Sequence, residues 1–439
     1  MRVRDRDWTW SLVGVLLATS VLVPVVFSTR LDAVFVVPKL GALWAALALS
    51  LGLVAVGVLA TGRLPDAARV FPVVDGAVAV FVVLEVAAFA FSTDREQSLV
   101  GERLQYQGLL TVLLYMSFFY VARVAITDVR RLTLLLWAVS GGAALVSGYA
   151  IVQRAGLDPV WEGYLPGGRV FSSIGQANAL AAYLVLTIPV SAALLLGGRL
   201  RLRVVAFLIV SATVTALVLT RSRGGFLGLV AALGVLGVGW WSVLRAPTKD
   251  ARRTVAAVAA GVALVVAAAS ASALSRVSLD DASIRFHADA WRVAAHVAVE
   301  HPVLGTGPET FPDVFPRYSH AVLPPERAAA LDAFRVESPH NVYLAIAAGS
   351  GIPALVAYLG ILAGALVTVA RAATHADREL RVALVAVLAA AAGHLVTDAF
   401  MTAEVTSSWL FWALLGGALG SIQGPPLDVT AGATPRRSR

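Results

Sequence analysis

Two arginines lie at the short junction between two apolar segments of this chain. Arg221 and Arg223 belong to the run LTRSRGGFLG at residues 219–228. A guanidinium group carries a permanent charge and binds phosphate through two parallel hydrogen bonds. The adjacent glycines, Gly224 and Gly225, would let a ligand approach the backbone closely. Both arginines could instead extend to lipid headgroups, so the residues alone predict either a phosphate site or a lipid contact.

Histidine offers a second candidate chemistry. Five of the seven histidines lie in one polar stretch: His287, His296, His301, His320 and His340. No two of these are four residues apart and no HExxH run occurs, so their spacing predicts no metal site. His340 lies directly before an apolar segment, in the run ESPHN. An imidazole at such a helix start could act as a general base or serve only as a cap or surface residue.

A third candidate is the segment PGGRVFSSIGQAN at residues 166–178. It is too apolar and too rich in glycine for a freely solvated loop, which favours a re-entrant segment or one lying at the membrane interface. Arg169 and Asn178 would then face the same outer cavity as Arg223 and His340.

Membrane-spanning helices must position these residues. Of the 439 residues, 58% are hydrophobic and only 14% are charged, with a mean hydropathy of +0.79, whereas soluble domains are about one-quarter charged. This composition excludes soluble, disordered and collagen-like classes, and the lack of cysteine excludes thiolate metal sites and cysteine nucleophiles. We predict an all-α polytopic membrane protein with about twelve transmembrane helices, each able to cross a ~30 Å hydrocarbon core. The predicted spans are residues 8–28, 33–60, 70–92, 108–126, 132–153, 177–197, 201–220, 225–244, 254–274, 341–370, 381–399 and 405–421.

Charge alternation between loops predicts the orientation. Basic residues recur in every second loop, within residues 2–6, 63–69, 123–131, 199–203, 245–253, 371–381 and 436–439. By the positive-inside rule, these loops and both termini are cytoplasmic. The same distribution accounts for the net charge of +8 without a nucleic-acid partner, so we predict none.

Four regions follow from this topology. Residues 1–274 hold transmembrane helices 1–9, residues 275–340 form one large extracytoplasmic loop, residues 341–422 hold helices 10–12, and residues 423–439 form a disordered cytoplasmic tail. Within the loop, an amphipathic pattern predicts a helix at 283–300, a Pro/Gly turn at 301–308 and a short helix at 324–334. The span at 341–370 is too long for one straight crossing, and Gly349, Gly351 and Pro353 predict a bend or break in it.

These motifs resemble those of the O-antigen ligase and polymerase family of bacterial membrane glycosyltransferases. Four stretches carry the resemblance, within about residues 92–360, and the loop at 92–108 adds a weaker match. The stretches are TRSRGG at 220–225, Trp291 followed by HPVLGTG at 301–307, His340-Asn341 followed after nine residues by Gly351, and the segment from Arg169 through Asn178 to Tyr183.

The resemblance implies a GT-C-like enzyme on the outer face of the bacterial cytoplasmic membrane, which is the inner membrane. Its donor would be a glycan linked to undecaprenyl pyrophosphate. Its acceptor would be a hydroxyl group on a glycan, a lipid or a protein, and the reaction would need no metal or other cofactor. The remaining partner is membrane lipid.

The resemblance also implies roles for individual residues. Arg223 and a second arginine would stabilise the charge left on the pyrophosphate, and His340 would accept the proton of the acceptor hydroxyl. Many relatives have the second arginine four residues before the tryptophan, where this chain has His287. We therefore predict that Arg285 or, failing that, Arg292 takes this role. The residues predicted to bind substrate are Arg221, Arg169, Asn178, Arg292 and Asn341.

Other functions share parts of this pattern. Within the same family, a polysaccharide polymerase and a protein O-oligosaccharyltransferase carry the same motifs, and the spacing from His340-Asn341 to Gly351 favours a ligase. A twelve-span transporter or flippase of lipid-linked or anionic solutes is the alternative of another class. The predicted spans contain few acidic residues, among them Glu85, and this scarcity argues against a transporter. A peptidoglycan polymerase would need an essential aspartate in the outer loop, where Asp280, Asp281, Asp289, Asp313 and Asp332 are available.

Overall fold

The computed structural model describes residues 7–62, 70–197, 199–244 and 282–422. Within these ranges the regular structure is entirely helical, as predicted. The α-helices are α1 (Asp7–Val25), α2 (Val37–Thr61), α3 (Pro72–Ala90), α4 (Arg95–Val100), α5 (Leu109–Ala125), α6 (Val129–Arg154), α7 (Ala177–Ala193), α8 (Leu200–Thr220), α9 (Arg223–Leu244), α10 (Ala282–Glu300), α11 (Phe311–Val322), α12 (Pro325–Asp332), α13 (Val342–Ser350), α14 (Ile352–His375), α15 (Arg378–Asp398) and α16 (Val405–Ser421).

Nine of the described helices are long and apolar enough to cross a membrane: α1, α2, α3, α6, α7, α8, α9, α14 and α15. The apolar helices α5 and α16 are slightly shorter and pack among them. A polytopic, all-helical membrane protein is therefore confirmed. The predicted span at 254–274 and the tail at 423–439 lie outside the described residues, so the count of twelve stays a prediction.

Two helices form the centre of the bundle. Every residue of α7 from Ala179 onward and every residue of α16 is buried, and a helix that is apolar on all sides belongs in a core. Glycine brings α16 close to α5: a Cβ atom on Gly416 would lie 2.0 Å from the carbonyl oxygen of Phe119, and one on Gly420 would lie 2.3 Å from that of Arg123.

Substituting Gly416 with alanine is expected to destabilise the bundle, because the added methyl group forces α16 away from α5. Overpacking of this kind costs about 1–3 kcal/mol, which a thermal-shift assay in detergent would register as a lower melting temperature. The matched control is Gly234→Ala on α9, where an added Cβ meets no atom within 4 Å. An equal melting temperature for the two variants would contradict this account of the α5–α16 contact.

The predicted break in the long span at 341–370 is confirmed. Gly351 has a φ of 91° and separates α13 from α14. A Cβ atom there would lie 2.2 Å from the carbonyl oxygen of Val303, so both the backbone conformation and the available space require glycine.

The HPVLGTG turn holds this break in place. Thr306 and Gly307 donate backbone hydrogen bonds of 3.0 and 2.8 Å to the carbonyl oxygens of Ala348 and Gly349, and Ile352 donates one of 2.9 Å to Pro302. The turn thereby fixes both sides of the break between α13 and α14. Since α13 begins at Val342, the same contacts position His340 just before it.

The described part of the outer segment has a small core of its own. Three helices build it, and α10 and α12 are the two that the sequence predicts at 283–300 and 324–334. The buried side chains are Val293, Ala294, Val297, Phe311, Phe315, Tyr318, Leu323, Ala328, Leu331 and Val336, packed also against Ala348 of α13. The segment is therefore a packed helical cap against α13.

Candidate active site

His340 is held by a hydroxyl pair in an unusual backbone conformation. Its φ is 49°, a region that residues other than glycine adopt rarely. The backbone N–H of His340 donates to the Ser338 hydroxyl at 3.2 Å, that hydroxyl lies 2.5 Å from the Thr402 hydroxyl, and Thr402 Oγ1 lies 3.3 Å from Nδ1 of His340. Among the described residues Nε2 has no hydrogen-bond partner. That nitrogen is available to a substrate.

Burial, together with the neighbouring His287, lowers the pKa of His340 to about 4. A desolvated imidazole loses the hydration that stabilises its charged form, and a second imidazole nearby opposes the same charge. His340 is consequently neutral at physiological pH, which is the protonation state that a general base requires.

His287, for which the motifs predict no role, lies beside His340. Its ring centroid lies 5.4 Å from that of His340, and the ring centroid of Phe286 lies 5.7 Å from that of His340. Nδ1 of His287 lies 2.7 Å from the carbonyl oxygen of Ser283; a carbonyl only accepts, so Nδ1 carries the hydrogen. His287 also contacts Trp291, one helical turn further on, and this four-residue spacing was the signal available in the sequence.

The two arginines predicted for this helix lie on another side of it. Arg285 is exposed and is two residues from His287, about 200° around an α-helix. Arg292 is exposed and lies 3.7 Å from Asp289, which is also paired with Arg327. Among the contacts that the structure describes, α10 places His287 against His340, whereas Arg292 has no contact with His340. The catalytic role of Arg285 stays a prediction.

The arginine junction between α8 and α9 is tightly built. Arg221 ends α8 with a φ of 52°, and the Ser222 hydroxyl accepts a hydrogen bond of 3.3 Å from the backbone of Gly225 in the first turn of α9. Arg223 begins α9. The backbone thus turns sharply and places two arginines within one turn, as the sequence predicts.

Arg169 connects the 166–178 segment to this junction. Its Nε donates a hydrogen bond of 2.6 Å to the carbonyl oxygen of Thr220, and its Nη2 donates one of 2.5 Å to Oδ1 of Asn178. Burial and the nearby charge of Arg221 lower the pKa of Arg169 below its usual value. The positive charges of Arg169 and Arg221 repel each other, and an anion bound between the two guanidinium groups would offset this repulsion.

The middle of the 166–178 segment is buried in the protein, whereas residues 166–168 and Gln176 are exposed. The side chains from Val170 to Ile174 are buried, and Lys39 donates 2.7 Å to the carbonyl oxygen of Ser173. Gln153 accepts a hydrogen bond of 2.7 Å from the backbone of Ser172. The sequence prediction that this segment is not a freely solvated loop is therefore confirmed.

The two asparagines predicted to bind substrate are engaged in positioning contacts. Asn178 accepts from Arg169 as described. Asn341 caps α13 because its side-chain oxygen accepts a hydrogen bond of 3.0 Å from the backbone N–H of Leu344. Its amide nitrogen donates a hydrogen bond of 3.1 Å to the carbonyl oxygen of Ala399. These contacts hold the arginine and the histidine in place, while substrate binding by either amide remains a prediction.

One loop joins the histidine to the arginine junction. Residues 399–404 connect α15 to α16. Phe400 lies against the start of α9, where a Cβ atom on Gly224 would be 3.3 Å from the Phe400 Cβ, and its ring contacts Trp291 at 5.9 Å. Two residues further on, Thr402 contacts His340. The loop therefore brings the beginning of α9, with Arg223, to the same end of the bundle as His340.

A cavity of about 110 Å³ adjoins the site, with Ser338, Asn341 and Thr402 in its wall. Ionisable residues from distant parts of the chain line the rest of it: Glu85, Glu309, His394 and Asp398. Burial raises the pKa of Glu309 to about 7. No sequence pattern indicates this grouping, because these positions meet only in the folded bundle. Within the described ranges, no group of histidines and acids has an arrangement that would hold a metal ion.

Three aspartates that the sequence left as candidates for another chemistry are engaged in ion pairs. Asp289 binds Arg327, Asp313 lies 3.2 Å from Arg335, and Asp332 lies 2.8 Å from His320. Asp280 and Asp281 lie outside the described residues. The described aspartates of this segment therefore serve its internal packing.

Comparison with known proteins finds a family match in the central region. Residues 205–359 match the family model Wzy_C, described as O-antigen ligase. The matched region begins within α8 and ends within α14, and it contains Arg221, Arg223, Trp291, the HPVLGTG turn and His340. It confirms the family resemblance predicted from these motifs, whereas the segment from Arg169 to Tyr183 and the loop at 92–108 lie outside the matched residues. No curated protein matches the chain significantly.

Proposed function

We propose that the protein is an O-antigen ligase-like glycosyltransferase. It transfers a glycan from undecaprenyl pyrophosphate to a hydroxyl acceptor on the outer face of the cytoplasmic membrane, without a metal. The family match supports an enzyme of this kind and a lipid-linked glycan substrate in general. The donor lipid, the orientation and the residue roles are our proposal.

His340 acts as the general base. Nε2 takes the proton of the acceptor hydroxyl as its oxygen attacks the anomeric carbon of the glycan. The bond from that carbon to the pyrophosphate oxygen breaks, and its electron pair remains on the pyrophosphate. Thr402 and Ser338 hold the imidazole in position, and the low pKa of His340 keeps it neutral before the reaction.

The arginine junction binds the pyrophosphate. Arg223 and Arg221, with Arg169 behind them, offset the negative charge that develops on the leaving group. Positive groups already fixed in the protein stabilise this charge without reorganising, and they supply the electrostatic help that a divalent cation gives in other phosphoryl sites. Arg285 is the secondary candidate for this role, as the family resemblance implies, whereas Arg292 lies beside Asp289 on another side of α10 from His287.

The observation that carries this proposal is the 399–404 loop, which contacts His340 through Thr402 and the start of α9 through Phe400. A base and a phosphate-binding arginine at one end of the bundle are what a sugar transfer from a pyrophosphate requires. A transporter has no need to place a neutral histidine beside them.

The test is a surface-glycan gel from a deletion strain complemented with wild type, Arg223→Ala or His340→Ala at equal expression. Loss of glycan from the acceptor with accumulation of undecaprenyl-linked chains supports a ligase. Single repeat units on the acceptor without a long-chain ladder would identify a polymerase, and loss from protein acceptors alone would identify an O-oligosaccharyltransferase. Glycan levels equal to wild type in both variants would overturn the proposal in favour of a transporter.

The pH dependence of transfer follows from the low pKa of His340. The base is active when neutral, so kcat/KM is expected to stay constant down to about pH 5 and to fall as the pH drops through about 4. His287→Ala removes the neighbouring imidazole that helps to lower the pKa of His340, so this pKa is expected to rise and the fall in kcat/KM to move to higher pH. His320→Ala is the matched control, because His320 is exposed and paired with Asp332. A fall centred near pH 6.5 in wild type would contradict the assignment.

A further inference from the structure

A second cavity lies at the opposite end of the bundle from His340. Its volume is about 540 Å³, and it lies among the first turns of α6, α8 and α15 and the chain after α7. The helices α8 and α15 run from this cavity to Arg221 and to Ala399, respectively. The cavity is therefore at the other membrane face and is separate from the candidate active site.

Two arginines from different helices line this cavity. Arg203 projects from α8 and Arg378 from α15, and Nε of Arg203 donates 3.3 Å to the carbonyl oxygen of Gly197. Within the described part of the chain neither guanidinium forms an ion pair. Among the described residues that line the wall, Glu379 is the single acid, so together these residues leave a net positive charge beside the membrane surface.

The rest of the wall is apolar. Leu136, Trp137, Leu194 and Leu202 contribute to it, and a tryptophan at this depth is typical of the membrane–water interface. The outer surface of α8 continues the apolar character, since Val204, Phe207 and Leu208 are more than half exposed. In a membrane-spanning helix, such side chains face lipid. A molecule in this cavity would have its charged end at the arginines and its apolar end along the hydrocarbon.

We propose that this cavity binds the headgroup phosphate of an anionic phospholipid, with Arg203 and Arg378 as the binding residues. Arginine is suited to phosphate because its charge is permanent and its donors form a fork, and basic pockets between transmembrane helices bind lipid phosphates. A free phosphate ion would leave the apolar wall uncovered, whereas a phospholipid covers both parts. The proposal does not depend on the proposed enzyme activity.

Native mass spectrometry of the purified full chain tests this proposal, with phosphatidylglycerol and phosphatidylcholine supplied in parallel. Phosphatidylglycerol is expected to bind more tightly and to raise the melting temperature. Each arginine removed, as Arg203→Ala or Arg378→Ala, is expected to weaken binding by about fivefold. Arg201→Ala is the matched control, because Arg201 is an exposed arginine on the same helix that does not line the cavity.

Three results would overturn the proposal. Equal affinity for the two lipids would show that charge plays no part, and unchanged binding by the Arg203→Ala, Arg378→Ala double variant would place the lipid elsewhere. Competition by inorganic phosphate at the same concentration as the lipid would identify a site for soluble anions. The Arg203→Lys, Arg378→Lys double variant is the control for misfolding. It retains the positive charge and is expected to recover most of the binding.

Discussion

Replacing His340 with glutamine is expected to lower kcat for glycan transfer by about 10²–10⁴-fold, the usual contribution of a general base. Glutamine retains a similar size and a polar group that can contact Thr402, but it cannot take up a proton. The KM for the donor is expected to change little, because the pyrophosphate is bound by the arginine junction. Measuring initial rates of transfer with purified protein and a lipid-linked glycan donor separates the two constants.

His320→Gln is the control for this variant. His320 lies in the same outer segment, is exposed, and is paired with Asp332, so its rate is expected to equal that of wild type. The assignment of His340 fails if His340→Gln retains more than about one-tenth of the wild-type kcat while eluting as a folded protein in gel filtration.

Replacing Arg223 with alanine is the second change with a large expected effect. Loss of one preorganised positive group at the leaving oxygen is expected to lower kcat by about 10²–10³-fold and to raise the KM for the donor as well. Arg223→Lys retains the charge without the two parallel hydrogen bonds, so an intermediate rate is expected. The measurement is again the initial rate of transfer as a function of donor concentration.

Arg317→Ala is the matched control, because Arg317 is an exposed arginine of α11 whose guanidinium lies over the Tyr318 ring. A donor KM and kcat equal to wild type for Arg223→Ala would contradict the proposed pyrophosphate site. A raised KM alone, with unchanged kcat, would limit Arg223 to ground-state binding.

Much of the fold was predictable because its signals are local in sequence. Apolar length predicts the spans, Gly351 predicts the break before α14, and the amphipathic pattern at 283–300 predicts α10. The helix α11 was missed, since Pro312 and Pro316 interrupt its pattern. Pro312 lies in the first turn, where the missing N–H costs nothing, and the apolar face of the helix completes the core of the outer segment.

The candidate site was predictable in part. Residue type and position single out His340, Arg223 and Arg169, and the structure places them at one end of the bundle; their roles stay predictions. His287 could not be assigned in the same way, because the face of α10 that meets His340 depends on tertiary packing. The contacts of Asn178 and Asn341 are also set by that packing, as is the meeting of Glu85, Glu309 and Asp398 around one cavity.

The central claim is that a glycan leaves its pyrophosphate carrier at His340 and Arg223. The most direct measurement uses purified protein in proteoliposomes with a radiolabelled undecaprenyl-pyrophosphate-linked glycan and a hydroxyl acceptor, in the presence of EDTA. We expect glycosylated acceptor and free undecaprenyl pyrophosphate to form in equal amounts with wild type and to be almost absent with His340→Gln. Movement of the intact donor across the bilayer without cleavage of its sugar–phosphate bond would contradict the account.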